Sequence, residues 1–181
     1  MRLFVAVPLP SPVKDHLVAL SHSLDPSLGS FRLVRAEQMH LTLKFLDEQQ
    51  DADAIGKALA KVGFQRFDLT LGKAGAFPAP QAARVIWAGL CRHEKLWKLQ
   101  ADIEAALAFL RLPKERGGYH PHLTIARVAK VHDSPGLAKR IASLPLESLM
   151  FPVAEFCLFE SVLGQQGARH TILRRFPAQG L

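Results

Sequence analysis

Cysteine is scarce in this chain. Cys91 and Cys157 are the only two in 181 residues, and neither belongs to a CxxC or similar pair. That excludes a disulfide framework or a cysteine-built zinc site, and predicts two free, buried thiols. Long apolar runs are also missing, and none approaches the ~20 residues a membrane helix needs. The opening MRLFVAVPLP is too short and too rich in proline for the apolar region of a signal peptide. A cytoplasmic protein is therefore expected. Acidic residues are outnumbered, 16 Asp+Glu against 23 Lys+Arg, for a net charge of +7. Charge of this sign attracts anions without saying which. The basic residues are spread along the chain, so a nucleic-acid reading needs a defined site to support it.

No low-complexity linker divides the sequence, and its length fits one domain over residues 1–181, or two lobes sharing a core. Alternation around Leu3, Val5 and Val7 predicts a strand over Arg2–Pro8. Helical spacing of Val13, Leu17, Leu20 and Leu24, capped near Ser11, predicts a first helix. Strands are expected at Phe31–Arg35 and His40–Leu46. A second helix carries Ile55, Leu59 and Val62, and a second strand pair covers Phe67–Leu71 and Arg84–Gly89. The third helix runs from Glu94 to Leu110, followed by a strand at His122–Val128 and a helix at Pro135–Ser143. Two last strands, Phe151–Ser161 and Arg169–Phe176, flank a Gly164–Gly167 turn. Paired strands between helices predict antiparallel sheets with helices on one face, an α+β fold.

One internal repeat stands out. His40-Leu41-Thr42-Leu43 returns as His122-Leu123-Thr124-Ile125, 82 residues later, both times on a predicted strand. Strand side chains alternate faces. The histidine and threonine of each copy therefore share one face, opposite the two aliphatic residues. A duplicated lobe with its two strands facing across a cleft would gather two imidazoles and two hydroxyls. Imidazole accepts and donates protons near neutral pH. Two of them flanking a phosphorus suit a displacement in which one activates water and the other protonates the leaving oxygen. Threonine hydroxyls can donate to the phosphoryl oxygens as charge develops there. No carboxylate or cysteine lies in the repeated strands, so neither a metal nor another cofactor is expected. His120 and His122, spaced i and i+2, form a weak competing metal signal, and His120 reads better as a strand-entry residue.

The paired H-x-T-x motifs resemble the two-histidine phosphoesterase superfamily. Within it, RLFVAVPLP, MHLTLKFL, VIWAGL, HPHLTIAR and LFESVLGQQGARHTILRRF are similar, in this order, to the RNA 2′,3′-cyclic phosphodiesterases, also known as 2′-5′ RNA ligases. The resemblance implies a bilobal, pseudo-twofold fold of duplicated antiparallel sheets with helices outside and a basic cleft between. It implies metal-free hydrolysis of an RNA terminal 2′,3′-cyclic phosphate to a 2′-phosphate, and the joining of such a cyclic-phosphate end to a 5′-hydroxyl through a 2′-5′ bond. The family's catalytic histidines fall on His40 and His122, its phosphate-binding threonines on Thr42 and Thr124, and its following arginine on Arg127. Where the family tail carries an aromatic, this chain has His170, which puts base preference in doubt. A monomer acting on an RNA end or a nucleotide is expected.

Arg127, five residues after His122, falls on the opposite face by simple alternation and needs a bulge to reach a phosphate. Lys44 continues the face of His40 and Thr42, as an RNA contact or a solvated lysine. Phe45 is the counterpart of Arg127, and core is the safer reading against base stacking. Lys114 and Arg116 could touch substrate from the loop before the second motif. Trp87 and Trp97 read as core. His122 is assigned as the base, because Arg127 on its strand could hold phosphate where water enters, and His40 as the acid. Two alternatives stay open at this point: an enzyme acting on a small cyclic nucleotide or cyclic ADP-ribose phosphate in a closed pocket, and a non-catalytic RNA- or nucleotide-binding module.

Overall fold

A computed structural model describes residues 1–112, 118–164 and 167–180. Its elements follow the order β1 (Arg2–Pro8), α1 (Ser11–His22), β2 (Gly29–Leu33), β3 (His40–Glu48), α2 (Ala52–Leu59), β4 (Phe67–Phe77), β5 (Val85–Leu90), α3 (Glu94–Ala106), β6 (His122–Val131), α4 (Ser134–Ala142), β7 (Met150–Val153), β8 (Glu155–Gly164) and β9 (Gly167–Pro177). Asp51 and Asp133 cap α2 and α4 by accepting the amides of Ala54 and Gly136. Ser11 does not cap α1. The cap position is Pro10, and Pro12 occupies the first turn, where its missing amide hydrogen costs nothing.

Two antiparallel sheets carry the fold. One has the order β3-β1-β8-β9 and the other β2-β6-β5-β4-β7. The lobes exchange helices: α1 follows a strand of the first sheet but packs on β6 of the second, and α3 follows β5 but packs on β3. One apolar cluster runs through both, from Leu3 and Leu41 to Leu123, Ile125 and Phe151.

The segment expected as one strand over Phe151–Ser161 is two. It breaks at Ala154, so that β7 pairs with β4 and β8 with β1 and β9. Its two apolar stretches, on either side of Glu155, do not reveal from sequence that they belong to different sheets. The third helix ends at Ala106, and a 3-10 turn covers Ala108–Leu110. β4 continues past Leu71 to Phe77. Cys157 is buried as expected, but Cys91 is exposed just beyond the end of β5.

Both motif strands carry a bulge at the same place. On β3, Thr42 pairs with Ala6 and Lys44 with Val5, which leaves Leu43 as the extra residue. On β6, Thr124 pairs with Trp87 and Ala126 with Ile86, which leaves Ile125. An extra residue reverses the phase of alternation. In each strand two consecutive residues then point into the core, Leu43-Lys44 and Ile125-Ala126, and the fifth residue after the first points out with the histidine. Arg127 thereby joins the face of His122 and Thr124, and Phe45 that of His40 and Thr42.

Candidate active site

A cleft of about 880 Å³ opens between the sheets, lined from one side by His40 and Thr42 and from the other by His122 and Thr124. Each imidazole is fixed the same way. His40 Nδ1 lies 2.8 Å from the carbonyl of Gln38, and His122 Nδ1 lies 2.8 Å from the carbonyl of His120. A carbonyl only accepts, so Nδ1 carries the hydrogen in both rings and Nε2 is the nitrogen with the accepting lone pair. The carbonyl two residues upstream of each motif is thus part of the repeat, and it gives His120 a backbone role.

Aromatic rings wall both imidazoles in equivalent places. Phe159 pairs with Phe4 beside His40, and Phe77 pairs with Val85 beside His122. The Phe4 ring is 4.7 Å from His40, and the Phe77 ring stands edge-on at 4.9 Å from His122. Trp87, read from the sequence as core, is half-buried 6.3 Å from His122. Its aromatic character alone carried no sign of a place in the site. Trp97 is likewise only half-buried, with the Arg92 guanidinium over its ring.

Burial, the neighbouring His170 and the approach of His122 push the His40 pKa down to about 4, against the opposing pull of the Gln38 carbonyl. His40 is therefore neutral at pH 7, with Nε2 a proton acceptor. His170 stands edge-on to His40 at 5.1 Å and is itself lowered by burial. Neither threonine hydroxyl bonds to a side chain or backbone group among the described residues, so both remain available to a ligand in the cleft.

The two sheets match strand for strand except that β2 has no counterpart and that β9, with 11 residues, outreaches its counterpart β7, with 4, and both differences make the site asymmetric. β2 lies beside β6 and sets Arg32 opposite Arg127. β9 contributes His170. Where Arg32 and Arg127 pair in one lobe, Phe4 and Phe45 pair in the other. Phe45 is 54% exposed in the cleft, which corrects the core reading.

Lys44 is also corrected. The bulge turns it away from His40 to the helix side, where it is 6% exposed and its Nζ meets Glu104 Oε2 of α3 at 2.8 Å. Lys114 and Arg116 lie outside the described residues. Sequence reasoning missed Tyr119, which donates to the carbonyl of Thr42 at 3.1 Å and ties the approach to the second motif onto the first. It missed Arg32 and Phe77 as well, since neither lies in the repeat.

Two strands that anchor an imidazole by Nδ1 and present a hydroxyl beside it, facing each other across one cleft, define a duplicated two-histidine protein. Residues 10–165 match the 2′-5′ RNA ligase superfamily, and the chain belongs to it. The chain is 32% identical over 155 residues to the RNA 2′,3′-cyclic phosphodiesterase of Aeropyrum pernix, covering 83% of this chain and 88% of that one. It is 30% identical to that of Archaeoglobus fulgidus, over 97% of this chain and 99% of the relative. Among solved structures, TT0787 of Thermus thermophilus superposes with a TM-score of 0.83 at 30% identity over 99% of each chain. LigT of Escherichia coli complexed with 3′-AMP superposes with a TM-score of 0.80 at 26% identity, over 99% of this chain and 98% of LigT.

Proposed function

We propose that the chain hydrolyses the 2′,3′-cyclic phosphate at an RNA end to a 2′-phosphate, using His40 and His122 as the proton-transfer pair and no metal. The observation that carries this is the matched anchoring of two imidazoles by Nδ1 on the walls of one cleft. A phosphorus between them meets a proton acceptor on one side and a proton donor on the other. One imidazole takes a proton from water as its oxygen bonds to phosphorus. The other gives a proton to O3′ as the P–O3′ bond breaks, which leaves a 2′-phosphate and a 3′-hydroxyl. The hydroxyls of Thr42 and Thr124 donate to the two non-bridging oxygens, and Arg127 with Arg32 balances their charge. A 5′-hydroxyl in place of water gives a 2′-5′ bond by the same transfers.

Among the described residues, no three histidine, cysteine, aspartate or glutamate side chains gather as a metal set. The test is hydrolysis of a cyclic-phosphate oligonucleotide in excess EDTA, with the product isomer identified. Turnover to the 2′-phosphate is expected, and its loss by a factor of ~10²–10⁴ in His40→Ala and in His122→Ala. Activity abolished by EDTA and restored by a divalent ion, or a folded histidine variant at the wild-type rate, would overturn the reading.

A further inference from the structure

Beyond the reacting phosphate, the cleft continues along β1 and β3, and that stretch has a distinct chemistry. On the cleft face of β1 the residues run Ala6, Phe4, Arg2. Beside Ala6 and Phe4 on β3 stand Thr42 and Phe45, and Asp47, which lies opposite Leu3 past a second extra residue at Leu46, lines the same cleft. β1 serves as a ruler, because Thr42 stands opposite Ala6, Phe45 opposite Phe4 and Asp47 opposite Leu3. At ~3.3 Å per strand residue the Phe45 ring lies ~7 Å, and Asp47 ~10 Å, from the level of the threonine that meets the phosphate. One nucleotide spans that interval, with its base at the ring and the base's outer edge at the carboxylate.

Asp47 stands apart in two ways. It is the single acidic residue among the described residues that line the cleft, against four arginines, Arg2, Arg32, Arg35 and Arg127. A carboxylate there works against binding a polyanion. Its backbone is also left-handed, with φ 54°, where glycine is at ease and a side chain is disfavoured. Neither Asp47 nor Arg2 forms an ion pair among the described residues, so both heads are available to a ligand.

We propose that Phe45, Asp47 and Arg2 form a nucleobase subsite that selects guanine at the cyclic-phosphate end, an inference that rests on the RNA phosphodiesterase reading. Any base can stack on an exposed ring, so Phe45 gives affinity without choice. The choice comes from the edge. Guanine presents an acceptor followed by two donors, O6, N1–H and N2–H. A carboxylate accepts both N–H groups through its two oxygens, and a guanidinium donates to O6. Uracil offers one donor between two acceptors, and its O2 would face a carboxylate oxygen. Cytosine and adenine each offer one amino group next to a ring nitrogen that only accepts. Guanine alone satisfies both side chains.

The test compares kcat/KM on four oligonucleotides that differ only in the terminal cyclic-phosphate nucleoside. In parallel, calorimetry measures binding of 2′-GMP, 2′-AMP, 2′-CMP and 2′-UMP. Guanine is expected to lead by tenfold or more in both. Asp47→Gly removes the carboxylate and suits the left-handed backbone, so the fold is preserved. It should lower the guanine-to-adenine ratio at least fivefold, and Asp47→Asn should lower it less. Equal values for the four bases, or a guanine preference that survives in Asp47→Gly, would overturn the subsite. Binding that favours 2′-GMP and depends on Asp47, without turnover of any end, would uphold the subsite and sink the phosphodiesterase reading instead.

Discussion

His40 pays for its position in protons. Unfolded, its imidazole titrates near ~6.5; folded, burial and the facing imidazoles hold it at about 4. Between those values the unfolded chain binds the proton and the folded chain does not, so stability increases with pH across that window. The contribution is complete above the unfolded pKa and lost as pH falls toward the folded one, on the order of 3 kcal/mol for this group. His170, also lowered by burial, adds in the same direction. Urea unfolding at pH 4.5 and at pH 7 should show this slope, and His40→Phe should flatten it. An equal slope in the variant would mean that His40 is not the group responsible. The threonines make a separate demand. A hydroxyl that bonds the phosphoryl oxygens chiefly as charge builds up should act on kcat. Thr42→Val and Thr124→Val should each cost about 2–3 kcal/mol in kcat/KM. Full activity in both would remove them from the mechanism.

The bulge is the element that decides what the cleft contains. The repeat was legible in the sequence because its pattern of histidine, threonine and two aliphatic residues is local. So were most of the strands and helices, whose apolar periodicity is local too. The phase of the strand beyond the motif was not legible. It depends on which residue of the neighbouring strand pairs with which, and Leu43 and Ile125 look like ordinary inward residues in either register. Simple alternation therefore misplaced Lys44 and Arg127 together, by the same physical error. The correction for Lys44 can be tested. Its ammonium is buried against Glu104, whose side chain is 35% exposed. Removing the lysine leaves a void and a partly buried carboxylate without its cation. Lys44→Ala should cost on the order of 1–3 kcal/mol of stability, and Lys44→Met, which keeps the apolar stem, less. Affinity for a cyclic-phosphate oligonucleotide should hold in both. A raised KM at unchanged stability would return Lys44 to the substrate.

At the scale of the whole molecule, duplication supplies two equivalently anchored imidazoles, and the unmatched strand β2 together with the longer edge strand β9 makes their surroundings different. The lobe with Arg32 and Arg127 is cationic beside His122. The other lobe packs Phe4 and His170 against His40. Breaking P–O3′ in line requires water to enter opposite O3′, with the two imidazoles on opposite sides of the phosphorus. On the proposed reading, with the phosphate held by Arg127, water would enter on the side of His122 as the base, and His40 would protonate O3′. A neutral His40 then has a consequence: to act as the acid it must take up a proton when the substrate binds. An anionic phosphate beside the ring favours its charged form and raises its pKa. Binding of inorganic phosphate at pH 6 should therefore be accompanied by proton uptake, seen as a dependence of the binding enthalpy on the buffer's ionisation enthalpy, and His40→Ala should abolish it. The roles themselves separate on a substrate with sulfur at the 3′ leaving position, because a thiolate departs with little need of a proton. His40→Ala should recover most of its lost rate on that substrate, and His122→Ala should not. Recovery by His122→Ala alone would exchange the two roles, and would make the neutral His40 the base that is ready before the substrate arrives.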